Sequence, residues 1–117
     1  MIYLAAPYST GIGSDTESAA LIMRARADRI DREAAKLMAE GHAVYSPITH
    51  GRPLERHLPG DLAADHKFWM AHCKAILAKC DALLVLKLDG WDVSRGVAEE
   101  IEHAARLGIP TAYLEAV

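Results

Sequence analysis

Apolar positions in this chain follow two rhythms, short unbroken runs and longer stretches recurring every three to four residues, and these predict strands and helices in alternation. Ile2-Tyr3-Leu4-Ala5 is an apolar run without alternation that stops at Pro7, as a strand buried on both faces does. After a Gly-bearing loop from Tyr8 to Ser14, Ala19, Ile22, Met23, Ala27, Ile30, Ala34, Leu37 and Met38 fall at helical spacing. Asp15 or Ser14 caps that helix, Glu40 ends it, and Gly41 is its left-handed stop. His42 to Ser46 is a second strand ended by Pro47. Residues 47–60, with three prolines and two glycines, are expected as a loop, and so long a connection in a compact domain is often functional. Asp61 is expected to cap a helix running to about Lys79. Asp81 to Lys87 is a third, central strand, and Leu88 to Val93 is a short loop. Ser94 to Leu107 is a helix closed by Gly108, and Pro110 to Leu114 is the last strand.

Strands alternating with helices imply a parallel sheet covered on both faces. The expected fold is therefore α/β, a three-layer, flavodoxin-like or Rossmann-like doubly wound parallel sheet of about four strands in the order 2-1-3-4, forming one domain over residues 1–117. In such sheets ligands sit at the carboxyl ends of the strands, where strand order reverses. The crevice is thus expected between the ends of strands one and three, faced by Tyr8, the loop after Ser46 and the segment Asp89–Ser94.

Composition narrows the partners. The chain is 51% hydrophobic and 25% charged with a net charge of -3, and its 13 basic residues are dispersed, so nucleic acid polymer is not expected as a ligand. The N-terminal segment lacks the positive region of a signal peptide, and no stretch approaches the roughly 20 apolar residues of a membrane span, so no membrane partner is expected. Cys73 and Cys80, seven apart on one helix, would have Cα atoms about 10 Å apart, too far for a disulfide. Reduced thiols and a cytoplasmic setting are expected. The six histidines form neither an H-E-x-x-H pattern nor any other metal spacing, so no metal is expected. Gly11-Ile12-Gly13 is followed by Ser14-Asp15-Thr16, which breaks a dinucleotide fingerprint, and with no Walker A sequence either, no cofactor is expected.

The last helix carries three glutamates that periodicity separates. Val97, Ile101, Ala104 and Gly108 form the stripe toward the sheet, while Glu99 and Glu102 point away, in i, i+4 reach of His103 and Arg106. Glu100 sits about 60° from the stripe's centre, near the helix start that points into the crevice. It is either a half-exposed residue stabilising the helix dipole or a carboxylate presented to a ligand. At the same helix start, Ser94, Gly96 and the free N–H groups of the first turn are either a simple N-cap or a seat for a phosphate or sugar hydroxyl. His50, just after the second strand, is a loop residue or a proton relay. Trp91 stacks on a base or covers the core edge, and Asp92 is a turn former or a sugar ligand.

Several of these segments together resemble the nucleoside 2-deoxyribosyltransferase-like proteins. Ile2-Tyr3-Leu4-Ala5-Ala6-Pro7-Tyr8-Ser9 is similar to their opening strand and loop, and Ser94-x-Gly96-Val97-x-x-Glu100-Ile101-x-x-Ala104 to their catalytic helix. Ser46-Pro47-Ile48-x-His50 and Leu88-x-Gly90-Trp91-Asp92-x-Ser94 resemble the marks of a small uncharacterised bacterial and phage family of this fold. The resemblance implies cleavage or transfer at an N-glycosidic bond of a nucleoside or nucleoside monophosphate. Glu100 would be the nucleophile, Tyr8 the loop aromatic near it, Ser94 the grip on the 5′ end, and Pro7, Gly96, Asp92, Trp91 and His50 further pocket residues. It also implies a homo-oligomer. Related enzymes carry a helper aspartate in the helix before the third strand; that position here is Cys73, and Asp65 or His72, which share a stripe with Trp69 and Ile76, are the nearest substitutes. Without a substitute, the same pocket would serve a non-catalytic ligand-binding or sensor module.

Overall fold

The computed structural model describes residues 1–9 and 15–116. Its core is one parallel sheet in the order β2-β1-β3-β4, built from β1 (Ile2–Ala5), β2 (Val44–Tyr45), β3 (Ala82–Lys87) and β4 (Thr111–Glu115). Ile2 to Ala5 pair in register with Ala82 to Val85, and Leu83 to Lys87 with Thr111 to Glu115, so β3 lies between two full partners. The second strand is shorter than its sequence suggests: only Val44 and Tyr45 pair, opposite Ile2 and Tyr3.

Helix α1 (Thr16–Ala39) packs on one face of the sheet. Asp15 caps it by accepting from the Glu17 N–H, and Gly41 follows with φ 99°, a conformation that suits glycine. Ala27 is buried, and Ile30 and Ala34 are buried against Leu4, Ala6 and Leu86, but Ile22 and Met38, expected on that stripe, are exposed. They fall at the stripe's margins, and Glu33 is buried instead because Arg29 donates to it at 3.0 Å. Helices α4 (His66–Leu77) and α5 (Arg95–Leu107) cover the other face, where Cys73, Leu77, Val97 and Ala104 meet Tyr3, Ala5, Leu83 and Val85. The three layers are thus helix, sheet, helices. Cys73 and Cys80 are both free thiols. The glycine-bearing loop lies largely outside the described residues.

Two expectations fail between β2 and α4. Residues 47–60 are not a loop: α2 (Pro47–Glu55) is helical, followed by the short α3 (Gly60–Ala63). Pro47 stands in the first turn, where its missing N–H costs nothing, and the helix absorbs Pro53 near its end. Nor does Asp61 cap the next long helix. The chain breaks at Ala64, Asp65 becomes the N-cap by accepting from the Lys67 N–H at 2.9 Å, and the Trp69 indole N–H donates back to the Ala63 carbonyl at 2.8 Å. The break sets His66 at the head of α4.

Candidate active site

Four segments at the carboxyl end of the sheet converge on a cavity of about 340 Å³. Ala6, Tyr8 and Ser9 come from the exit of β1. Pro47, Ile48, Gly51, Arg52 and Glu55 come from α2, and His66, Trp69, Met70 and Cys73 from α3–α4 with Ala63 and Ala64. The fourth wall is the start of α5, from Ser94 to Val97, with Glu100 one turn in. The volume lies at the low end of the roughly 300–1,000 Å³ usual for small-molecule pockets.

Glu100 is only 5% exposed, yet it lines this cavity. It accepts a hydrogen bond from the Tyr3 hydroxyl, which reaches it from the buried face of β1. Burial disfavours the charged carboxylate and pushes its pKa up to about 7; the Tyr3 hydrogen bond opposes that rise and neighbouring Glu99 adds to it. Tyr3 itself is held far above the usual phenol range, by burial first and by the Glu100 charge second. Burial also raises the Cys73 thiol beside Tyr3. Near pH 7 Glu100 is therefore divided between its two forms, able to act as nucleophile or as acid.

At the start of α5 the N-cap of the two readings is present. Ser94 is buried and caps the helix, accepting from the Val97 N–H at 3.3 Å, and an added Cβ at Gly96 would meet the Met70 side chain only at ordinary contact distance, 3.6 Å. On the opposite wall Arg52 donates to Asp31 at 2.5 Å, while its Nε is buried with no hydrogen-bond partner among the described residues. The phenol of Tyr8 is raised by partial burial and by Glu55, with Arg52 acting in the opposite sense. Below, Gly51 lets the Trp69 indole lie against α2, where an added Cβ would meet a ring carbon at 3.3 Å.

Tyr8, Ser94, Gly96 and Glu100 thus share one cavity; the other candidates do not line it. Pro7 is fully buried behind the wall. Asp65 spends its carboxylate capping α4. His50 and His72 are exposed and stack on each other at 5.6 Å, with Tyr45 beside them. Asp92 is exposed, and Trp91 packs on Tyr113 at 5.5 Å with the Lys87 ammonium over its ring. The segment Trp91–Val93 is a 3-10 turn that carries the indole toward β4, away from the cavity. Asp89 borders a separate groove of about 470 Å³ against α1, lined also by Ile22, Arg26 and Leu88. Of the three segments expected to face the crevice, Tyr8, the residues after Ser46 and Ser94 do line it, Asp89 does not, and α2 supplies a further wall.

Sequence reasoning missed Tyr3, Arg52, His66 and Trp69. Tyr3 carried a signal, since a buried phenol in an aliphatic strand needs a partner for its hydroxyl. Among the other glutamates, Glu102 pairs with Arg106 as its spacing suggests, but Glu99 turns to His66 rather than His103, at 2.5 Å. No group of three or more potential metal ligands gathers among the described residues, and no helix there is long and apolar enough to cross a membrane.

Residues 1–115 match the family model described as a domain of unknown function, DUF1937. No curated protein matches the chain.

Proposed function

The chain belongs to the DUF1937 family, and from that premise we propose that it cleaves or transfers at the N-glycosidic bond of a nucleoside or nucleoside monophosphate, with Glu100 as nucleophile. The observation that carries this reading is a carboxyl group 5% exposed, in the wall of a ligand-sized cavity, with a phenol hydroxyl bonded to it. In the proposed reaction the ionised Glu100 attacks C1′, the base departs, and water or an acceptor resolves the glycosyl ester. A carboxylate suits this step because it stabilises the oxocarbenium-like transition state before bonding to it. Tyr3 favours the ionised form and orients it. A 5′-phosphate would meet the first turn of α5 and the guanidinium groups of Arg52 and Arg95, which line the same cavity. The resemblance of the α5 motif to the nucleoside 2-deoxyribosyltransferase-like proteins supports the same assignment.

A second reading has its own observation. Cys73, where related enzymes carry an aspartate, is a buried neutral thiol in the cavity wall, and a pocket without a helper would bind and not turn over. Incubation with a panel of nucleosides and monophosphates, scored for free base and for thermal shift, separates the two. Base release by the wild type, reduced on the order of 10³-fold or more in Glu100→Gln, is expected. Stabilisation without base release would replace the enzyme with a sensor. A homo-oligomer is part of the proposal, supported by exposed Leu107 and Tyr113, and sedimentation velocity reads it.

A further inference from the structure

We propose that His66, oriented by Glu99, is the proton donor and acceptor that serves Glu100, an inference that rests on the glycosidic reading of the same cavity. His66 and Glu100 line one cavity, from the head of α4 and from the second turn of α5. The break at Ala64 puts His66 there, and its Nε2 lies 2.5 Å from the Glu99 Oε2. Adjacent glutamates on one helix are turned about 100° apart. Glu100 is therefore buried in the cavity wall while Glu99 reaches across to α4 and holds the imidazole of His66, which lines the same cavity. Glu99 is kept well ionised, chiefly by the hydrogen bond from His66, with Lys74 and Arg95 adding to the effect. Both partners are about one-third exposed, with side-chain accessibilities of 34% and 30%, so as an ion pair they contribute little to stability. A carboxylate fixing one ring nitrogen leaves the other, Nδ1, for proton transfer, the arrangement general acid–base catalysis needs.

The step balances. As Glu100 bonds to C1′ and the C1′–N bond breaks, the imidazolium passes its Nδ1 proton to the departing base. The neutral ring then takes a proton from water while the water oxygen bonds to C1′ and the glycosyl ester breaks, which returns the Glu100 carboxylate and the imidazolium. His66 thereby supplies what the cysteine at the helper position does not. Glu99 is a positioning residue.

The test compares wild type, His66→Ala, His66→Gln, Glu99→Gln and Glu100→Gln on natural nucleosides and on a 4-nitrophenyl glycoside of the same sugar, whose leaving group departs without a proton. Loss of His66 should lower kcat on nucleosides about 10²-fold or more, yet release nitrophenolate in the first turnover within about threefold of the wild-type rate. That retained burst also shows that the variant is folded, and His66→Gln gives the same reading with a side chain of closer size. Glu99→Gln should lower kcat with KM unchanged, whereas Glu100→Gln should abolish both substrates. If His66 variants turn over nucleosides as wild type does while Glu100→Gln is dead, the histidine's role is overturned and the glycosidic reading stands. If the wild type releases no base or nitrophenolate, both fall.

Discussion

Tyr3 behaves as a core residue in every atom but one, and that hydroxyl decides the character of Glu100. Because its hydrogen bond favours the ionised carboxyl, Tyr3→Phe should raise the Glu100 pKa further. The acid limb of the activity profile should then move to higher pH, with lost rate at neutral pH partly recovered above it; an unmoved limb would detach Tyr3 from the chemistry. The same carboxyl affects stability with a definite sign. Its pKa rises from 4.5 to about 7 on folding, so the folded chain holds the proton more tightly than the unfolded one. Stability is then greatest below 4.5, declines as pH rises through the interval to about 7, and is flat beyond, a total near 3 kcal/mol. Glu100→Gln, which carries no charge to desolvate, should gain on the wild type by that order between about pH 4 and about pH 8 in denaturant unfolding. Helical periodicity placed Glu100 at the margin of the apolar stripe, but how deeply it is buried depends on α4 closing over it, which one helix's pattern does not contain.

At the scale of elements, α2 shows why composition misled. Prolines and glycines between residues 47 and 60 read as a loop, yet each is used by a helix or its end: Pro47 opens α2 and Gly51 admits the Trp69 ring. The glycine is a contact residue, not a breaker. Gly51→Ala would ordinarily stabilise a helix by about 1 kcal/mol. Here the indole is fixed by its bond to the Ala63 carbonyl and cannot easily yield, so a lower thermal midpoint is expected. A raised midpoint would mean that the ring moves. The sequence put this cap at Asp61; it falls to Asp65 instead because the Trp69 indole ties back across the break, a contact four residues ahead that propensity does not weigh. His66 gains its place from that choice alone.

For the whole molecule, the order β2-β1-β3-β4 was legible because each strand was bounded by Pro, Gly or a cap and each crossover was long enough for a helix. The location of the cavity was largely legible: the exit of β1, the residues after Ser46 and Ser94 line it as expected, but Asp89 does not. Arg26 of α1 donates to the Tyr8 carbonyl at 2.9 Å and to the Asp89 carbonyl at 3.0 Å, and so ties the exits of β1 and β3 together from the opposite face. Arg26→Ala should therefore speed amide hydrogen exchange around residues 8–9 and 89–90 while leaving exchange in β3 unchanged. Equal acceleration throughout would instead mark global destabilisation.

The two tryptophans of the chain divide between environments, Trp69 in the cavity wall and Trp91 on Tyr113 beyond it. With Trp91→Phe in place, all indole emission would come from the wall itself. Any guest that enters would then announce its arrival in the colour and intensity of that light, before a single bond is broken.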